Sequence, residues 1–147
     1  MKKIIFLSLI FSLIFGSCTH HEVKSPYEGV WKVVSWVAMN RDSLVWVFPG
    51  NYTGSEISIV AKGHFMWTGC YKKDTTLIDN WGSGTYTLDG NRLEETFLFC
   101  VDKKMVGTKR RVLWGLKNDT VTYTWPCDEN WQVSKDKYYI QKIVKAE

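Results

Sequence analysis

The chain has 147 residues, with 19 Lys and Arg against 15 Asp and Glu, a net charge of +4, and no basic run longer than Lys109-Arg110-Arg111. That length holds one core and leaves no room for a second domain, and so thin a spread of charge does not describe a nucleic-acid surface. Eight Trp, seven Tyr and seven Phe beside only three Pro make a chain of strand formers whose rings must be buried or must bind something.

At the N-terminus Lys2 and Lys3 precede an apolar run at 4–15 that is too short to span a bilayer comfortably, which predicts an export signal over residues 1–17. The run closes on Phe15-Gly16-Ser17-Cys18, two small residues before a cysteine, and this resembles the lipobox of bacterial lipoproteins. The resemblance implies cleavage before Cys18, lipid on its thiol, firm anchoring by the acyl chains, and a place in the cell envelope with the outer membrane as the default. Residues 18–28, with His20, His21 and Pro26, are expected to be a lipidated tether. The adjacent histidines lack a third nearby ligand, so no metal is expected there.

Residues 29–147 are expected to form the domain. Short runs of Val, Ile, Trp, Tyr, Phe and Thr alternate with turn residues, and no stretch keeps a helical period, which predicts an all-β fold. The expected strands cover 30–38, 55–60, 64–71, 83–88, 92–99, 109–117, 120–125 and 137–144. The segment 44–48 is either an extra strand or a structured loop. Tight turns are predicted at Ala61-Lys62-Gly63, Asp89-Gly90-Asn91 and Asn118-Asp119. Between them stand longer connections at 39–54, 72–82, 100–108 and 126–136.

Tight and long connections therefore alternate, which in an antiparallel meander gathers the long ones at one end. Closing eight such strands into an up-and-down barrel removes exposed edges and gives the barrel a closed end and a mouth. Cys70, Cys100 and Cys127 all fall toward that mouth. Their spacing fits neither a zinc site nor a redox dithiol, and in an oxidising compartment one disulfide is expected, most simply between Cys100 and Cys127.

Gly29-Val30-Trp31 at the start of the first strand, with Gly63-His64-Phe65-Met66-Trp67 and the run Gly82-Ser83-Gly84-Thr85-Tyr86-Thr87-Leu88-Asp89-Gly90-Asn91 before Glu94-Glu95, resembles the lipocalin-like domains of bacterial lipoproteins. The resemblance spans most of the chain and implies an eight-stranded calycin-type barrel. Lipocalins commonly set an arginine of the last strand against the signature tryptophan, whereas residues 137–144 offer only Lys137 and Lys142.

Period-two alternation puts Trp31, Val33, Ser35 and Val37 inside and leaves Val34 and Trp36 on the opposite face. It also turns inward Phe65, Trp67 and Tyr71; Tyr86 and Leu88; Leu93, Glu95, Phe97 and Phe99; Val112, Trp114 and Leu116; and Val121, Tyr123 and Trp125. Glu95 among aromatic rings is costly unless paired, with Arg111 or a tyrosine hydroxyl as candidate partners. Trp46, Phe48, Tyr52, Trp81 and Trp131 are expected around the mouth. No acid and base stand together, and no nucleophile, phosphate-loop or metal-ligand spacing is present, so the expectation is a noncatalytic protein without a cofactor. The leading expectation is a membrane-anchored barrel binding a small apolar or amphipathic ligand, or a sugar, at its mouth. Trp67, Tyr86, Glu95, Phe97, Trp114, Tyr123 and Trp125 are the candidate ligand contacts. The alternative is an envelope protein-interaction module whose barrel is filled by side chains.

Overall fold

The structure, a computed structural model, describes residues 25–146. The expected export signal, Cys18 and most of the expected tether lie outside the described residues. Nine strands follow one another: β1 (Gly29–Asn40), β2 (Ser43–Phe48), β3 (Thr53–Ala61), β4 (His64–Lys73), β5 (Thr76–Asp89), β6 (Arg92–Cys100), β7 (Lys109–Lys117), β8 (Thr120–Trp125) and β9 (Lys137–Lys145), with one 3₁₀ turn at Lys103–Met105. From β3 to β9 each strand pairs antiparallel with the next, and β9 returns to β1 along almost its whole length. Eight strands thus close an up-and-down barrel, and β2 is the extra one.

The placement of β2 follows from the length of β1. The first half of β1 pairs with β3 through Gly29↔Val60 to Lys32↔Ile57, while its second half pairs on the same edge with β2 through Trp36↔Phe48 to Asn40↔Ser43. β2 and β3 therefore act as one interrupted strand, with 49–52 looping out between them. Most of the long connection expected at 39–54 is in fact strand. The same holds for 72–82, which forms the far part of the β4–β5 hairpin around a tight reversal at Asp74 (φ +54°). The alternative left open at 44–48 resolves to strand, whereas 72–82 was hidden because Asp, Asn and Lys are weak strand formers whose pairing is decided by their neighbours. The connections that remain long are 101–108 and 126–136.

The expected tight turns are present, and their chemistry explains them. Lys62 with Gly63, and Asn118 with Asp119, hold positive φ at both central positions, as a twist-matched two-residue hairpin demands. They fall at the end opposite the long connections, which is the closed end.

Packing at that end begins before β1. Tyr27 is almost wholly buried, with its ring edge-on to Tyr86 and Tyr123 and tilted on Trp114 at centroid distances of 5.1, 6.1 and 5.6 Å. The Trp31 indole donates to the Tyr27 carbonyl at 2.9 Å. Lys145 lies 4.1 Å from the centre of the Trp31 ring and donates to the Glu28 carbonyl at 2.5 Å. A cation of the last strand therefore covers Trp31, one residue beyond the expected end of that strand.

Alternation holds along β4, the inner half of β6, and β8, where Phe65, Tyr71, Leu93, Phe97, Val121, Tyr123 and Trp125 are buried. It fails at two bulges. In β1 the partners step from Val33↔Ile143 to Ser35↔Lys142, so Val34 is an extra residue and the inward face switches to Trp36 and Ala38. In β6 they step from Gly84↔Phe97 to Ser83↔Phe99, so Cys100 turns inward and Phe99, expected inside, stands 67% exposed. A bulge inserts one unpaired residue and reverses the facing of everything beyond it.

Candidate functional site

The barrel is not filled. A cavity of about 580 Å³ opens inside it, within the size range of small-molecule sites, and its walls include Trp36, Trp67, Trp125 and Tyr139 with Val60, Phe65 and Val112. Val101, Asp102 and Met105 from the 101–108 connection, with Pro126 and Cys127 after β8, line it as well. The two long connections therefore frame the entrance, and Tyr27 with Tyr123 forms the floor.

Gly82 is what lets the Trp67 ring lie flat on the wall. It pairs opposite Trp67, and a Cβ built there would overlap the six-membered part of the indole. The indole then donates to the Asn80 side chain at 3.1 Å.

Two carboxylates sit in this interior. Glu95, 5% exposed, accepts from Arg110 Nε at 2.6 Å. The partner is Arg110 and not the expected Arg111, because Val112 faces inward and alternation carries Arg110 with it. Arg111 turns out to meet Glu94 at 3.2 Å, where Lys109 also binds at 2.7 Å. The Arg110 guanidinium lies 4.8 Å from the Phe97 ring centre, 5.1 Å from Trp125 and 6.0 Å from Trp67. Cation–π attraction to several rings offsets part of the cost of taking this cation out of bulk water.

Glu56, 3% exposed, is held differently. Its Oε2 accepts from the Tyr71 hydroxyl at 3.2 Å and the Asn80 amide at 2.5 Å, and its Oε1 accepts from the Gln141 amide at 3.2 Å. All three donors are neutral. Burial pushes the carboxyl above the ordinary glutamate range, and the hydrogen bonds from Asn80, Gln141 and Tyr71, with the more distant charge of Arg110, offset only part of that rise. Burial likewise raises the hydroxyls of Tyr27, Tyr71 and Tyr123, so these groups stay protonated donors.

One polar atom of the wall has no partner. Trp36 Nε1 is buried without an acceptor, although its ring packs on Trp46, Tyr71 and Trp125. A buried donor left unmade costs about 1–3 kcal/mol.

No family model matches the chain, and no curated protein matches it.

Of the residues expected to meet a ligand, Trp67, Glu95, Tyr123 and Trp125 line the cavity. Tyr86 and Trp114 pack on Tyr27 at the closed end, and the Trp114 indole donates to the Gly90 carbonyl at 3.0 Å. Phe97 lies fully buried beneath the guanidinium of Arg110. Cys70, Cys100 and Cys127 stand as free thiols in the structure, and Cys100 and Cys127, the pair expected to be joined, both reach the cavity.

The mouth rings also differ from expectation. Trp46 stacks on Tyr52 at 3.5 Å, and Trp46 and Phe48 both pack on Tyr71, so these three are spent on each other. Trp81 stands on the outer wall, and Trp131 lies beneath Arg92. Among the described residues no helix is long and apolar enough to cross a membrane, and no cluster of His, Cys, Asp and Glu could hold a metal ion.

Glu56, Asn80, Gln141 and Arg110 were not singled out by the sequence reading, and Trp36 was placed on the opposite face from Trp31. Gln141 and Glu56 carried a usable signal, since each stands two or four residues from an inward apolar residue of its own strand, Ile143 or Val60. Asn80 fell in a stretch read as loop, and Trp36 lay beyond a bulge.

Proposed function

We propose that this protein is a noncatalytic, lipid-anchored lipocalin-like barrel of the bacterial cell envelope that binds a small amphipathic molecule inside its cavity. The observation that carries the reading is the cavity of about 580 Å³, which joins a largely aromatic wall to a few convergent polar groups, Glu56, Asn80, Gln141 and the Glu95–Arg110 pair. An apolar body would bury its surface against Trp36, Trp67 and Trp125, at about 25 cal/mol for each Å² removed from water. A polar head would meet the groups around Glu56.

The cavity weighs against the alternative of a barrel filled by its own side chains. Sugar binding on mouth rings gains little support, because Trp46, Phe48 and Tyr52 pack on one another. The envelope location rests on the Cys18 motif and on nothing else. Both halves of the proposal are open to test. Organic extraction of the protein purified from its host, followed by mass spectrometry, should release a stoichiometric small molecule, and an empty extract with no saturable binding to any amphiphile would count against the cavity's role. Metabolic labelling with a fatty acid should tag the wild type and not Cys18→Ala; equal labelling would remove the anchor.

A further inference from the structure

The interior charges do not balance. Among the described residues three acidic or basic side chains reach the cavity from within the barrel: Glu56, Glu95 and Arg110. Arg110 is committed to Glu95 at 2.6 Å. Lys109 and Arg111 touch the lining but are both engaged with Glu94 on the outer face, and Asp102 accepts from the Lys104 backbone in the 3₁₀ turn. Among the described residues Glu56 is thus the one interior carboxyl with no cationic partner in contact. Its Oε1 accepts a single hydrogen bond, although each carboxylate oxygen has room for about two.

Resting on the cavity reading above, we propose that the ligand is an amphipathic organic cation, a protonated amine or quaternary ammonium whose head lies between the Glu56 carboxylate and the Trp36 and Trp67 indoles, with its apolar part against Trp125 and Tyr139. Indole faces and a carboxylate together are what such a head requires in a desolvated site. The opposite choice, an anionic head, would have to take Arg110 from Glu95 and leave two carboxylates without a cation. Non-specific attraction does not favour the cation, since the chain carries a net charge of +4; any preference for one must arise inside the barrel.

The groups facing Glu56 are Tyr71 from β4, Asn80 from β5, Gln141 from β9 and, at longer range, Arg110 from β7. Burial raises the Glu56 carboxyl above the ordinary glutamate range and drives the Tyr71 hydroxyl further above its own, so Glu56 is the first of these groups to ionise as pH climbs. A bound cation favours the ionised carboxylate, so binding releases a proton. Affinity for the cation should therefore rise with pH through the raised Glu56 value and level off above it.

The test compares three probes sharing one apolar chain: decyltrimethylammonium, decanol and decanoate. Each is titrated calorimetrically into the full protein and into Glu56→Gln at several pH values. The expected result is tightest binding of the ammonium, an affinity that grows with pH, and a ratio of ammonium to decanol affinity that falls by about ten-fold or more in Glu56→Gln. Taking a ratio removes any general weakening of the variant's fold. Decanol or decanoate binding as tightly as the ammonium would overturn the inference and leave the cavity reading standing. Tightest ammonium binding with an unchanged ratio in Glu56→Gln would overturn the assignment to Glu56. Binding of none of the three would overturn both.

Discussion

Replacing Arg110 by Met should expose how much the barrel interior depends on the Glu95–Arg110 ion pair. The substitution keeps most of the side-chain volume but leaves Glu95 without a cation. Truncating one partner of a buried pair costs about 3–5 kcal/mol. Here the arginine side chain is 24% exposed and its glutamate 7%, and water in the cavity will screen the remaining carboxylate, so about 2–3 kcal/mol is the reasonable expectation. Loss of the stacking on Phe97, Trp125 and Trp67 adds about 0.5–1 kcal/mol. Against a total stability of about 5–15 kcal/mol the variant still folds, with a clearly lower urea midpoint.

Glu95→Gln in the Arg110→Met background removes the stranded charge and should restore about 1.5 kcal/mol or more, the signature of coupling in a double-mutant cycle. Arg111→Met is the control, because its partner Glu94 lies on the outer face; it should cost at most about 1 kcal/mol. Urea unfolding followed by tryptophan fluorescence reads the wild type, Arg110→Met, Glu95→Gln, their double variant and Arg111→Met. Strictly additive effects, or an Arg111 variant as unstable as the Arg110 variant, would refute the pairing.

Three further outcomes follow from the same geometry. Because the Glu56 carboxyl is raised in the folded state, its contribution to stability is intact below the ordinary range near about 4.3 and is lost as pH climbs through the raised value; the urea midpoint of Glu56→Gln should be flatter with pH there, and parallel curves would contradict the burial. Gly82→Ala should push the Trp67 ring off the wall and into the cavity, costing about 1–3 kcal/mol by overpacking and weakening amphiphile binding; an unchanged melting temperature would show that the ring is not held there. Tyr27→Ala should cost about 3–5 kcal/mol, and a chain beginning at Gly29 should be as unstable, measured by thermal unfolding; an unperturbed Gly29 chain would mean that Tyr27 is no plug.

How far the sequence could be read is clearest at β1. Gly29-Val30-Trp31, the period-two pattern and the tight turns at Lys62-Gly63 and Asn118-Asp119 are local signals, and they sufficed for an all-β meander that closes with one end turned tightly. The switch at Val34 is not local. It exists because β9 pairs across the bulge, and without that partner alternation puts Trp36 on the wrong face. The same holds at Leu98, beyond which Phe99 and Cys100 exchange places. Arg110 was legible, since Val112 fixes its facing, yet the acid at Glu95 drew attention to its more distant neighbour. Asn80 and Glu56 meet only because the β4–β5 hairpin continues past the barrel wall, through polar residues that composition alone assigns to a loop. Tyr27 was set apart by the proline before it, though a single buried ring is enough to make that stretch part of the core.

The most direct test is quenching of the cavity tryptophans by a decyl amphiphile carrying bromine on its chain. Trp36, Trp67 and Trp125 line one cavity, so quenching should saturate at a single site per chain and should be lost in Ser58→Phe, which fills the cavity from β3 while the circular dichroism spectrum stays that of a β fold. Quenching that never saturates, or that survives unchanged in the filled variant, would mean that the barrel has no usable interior.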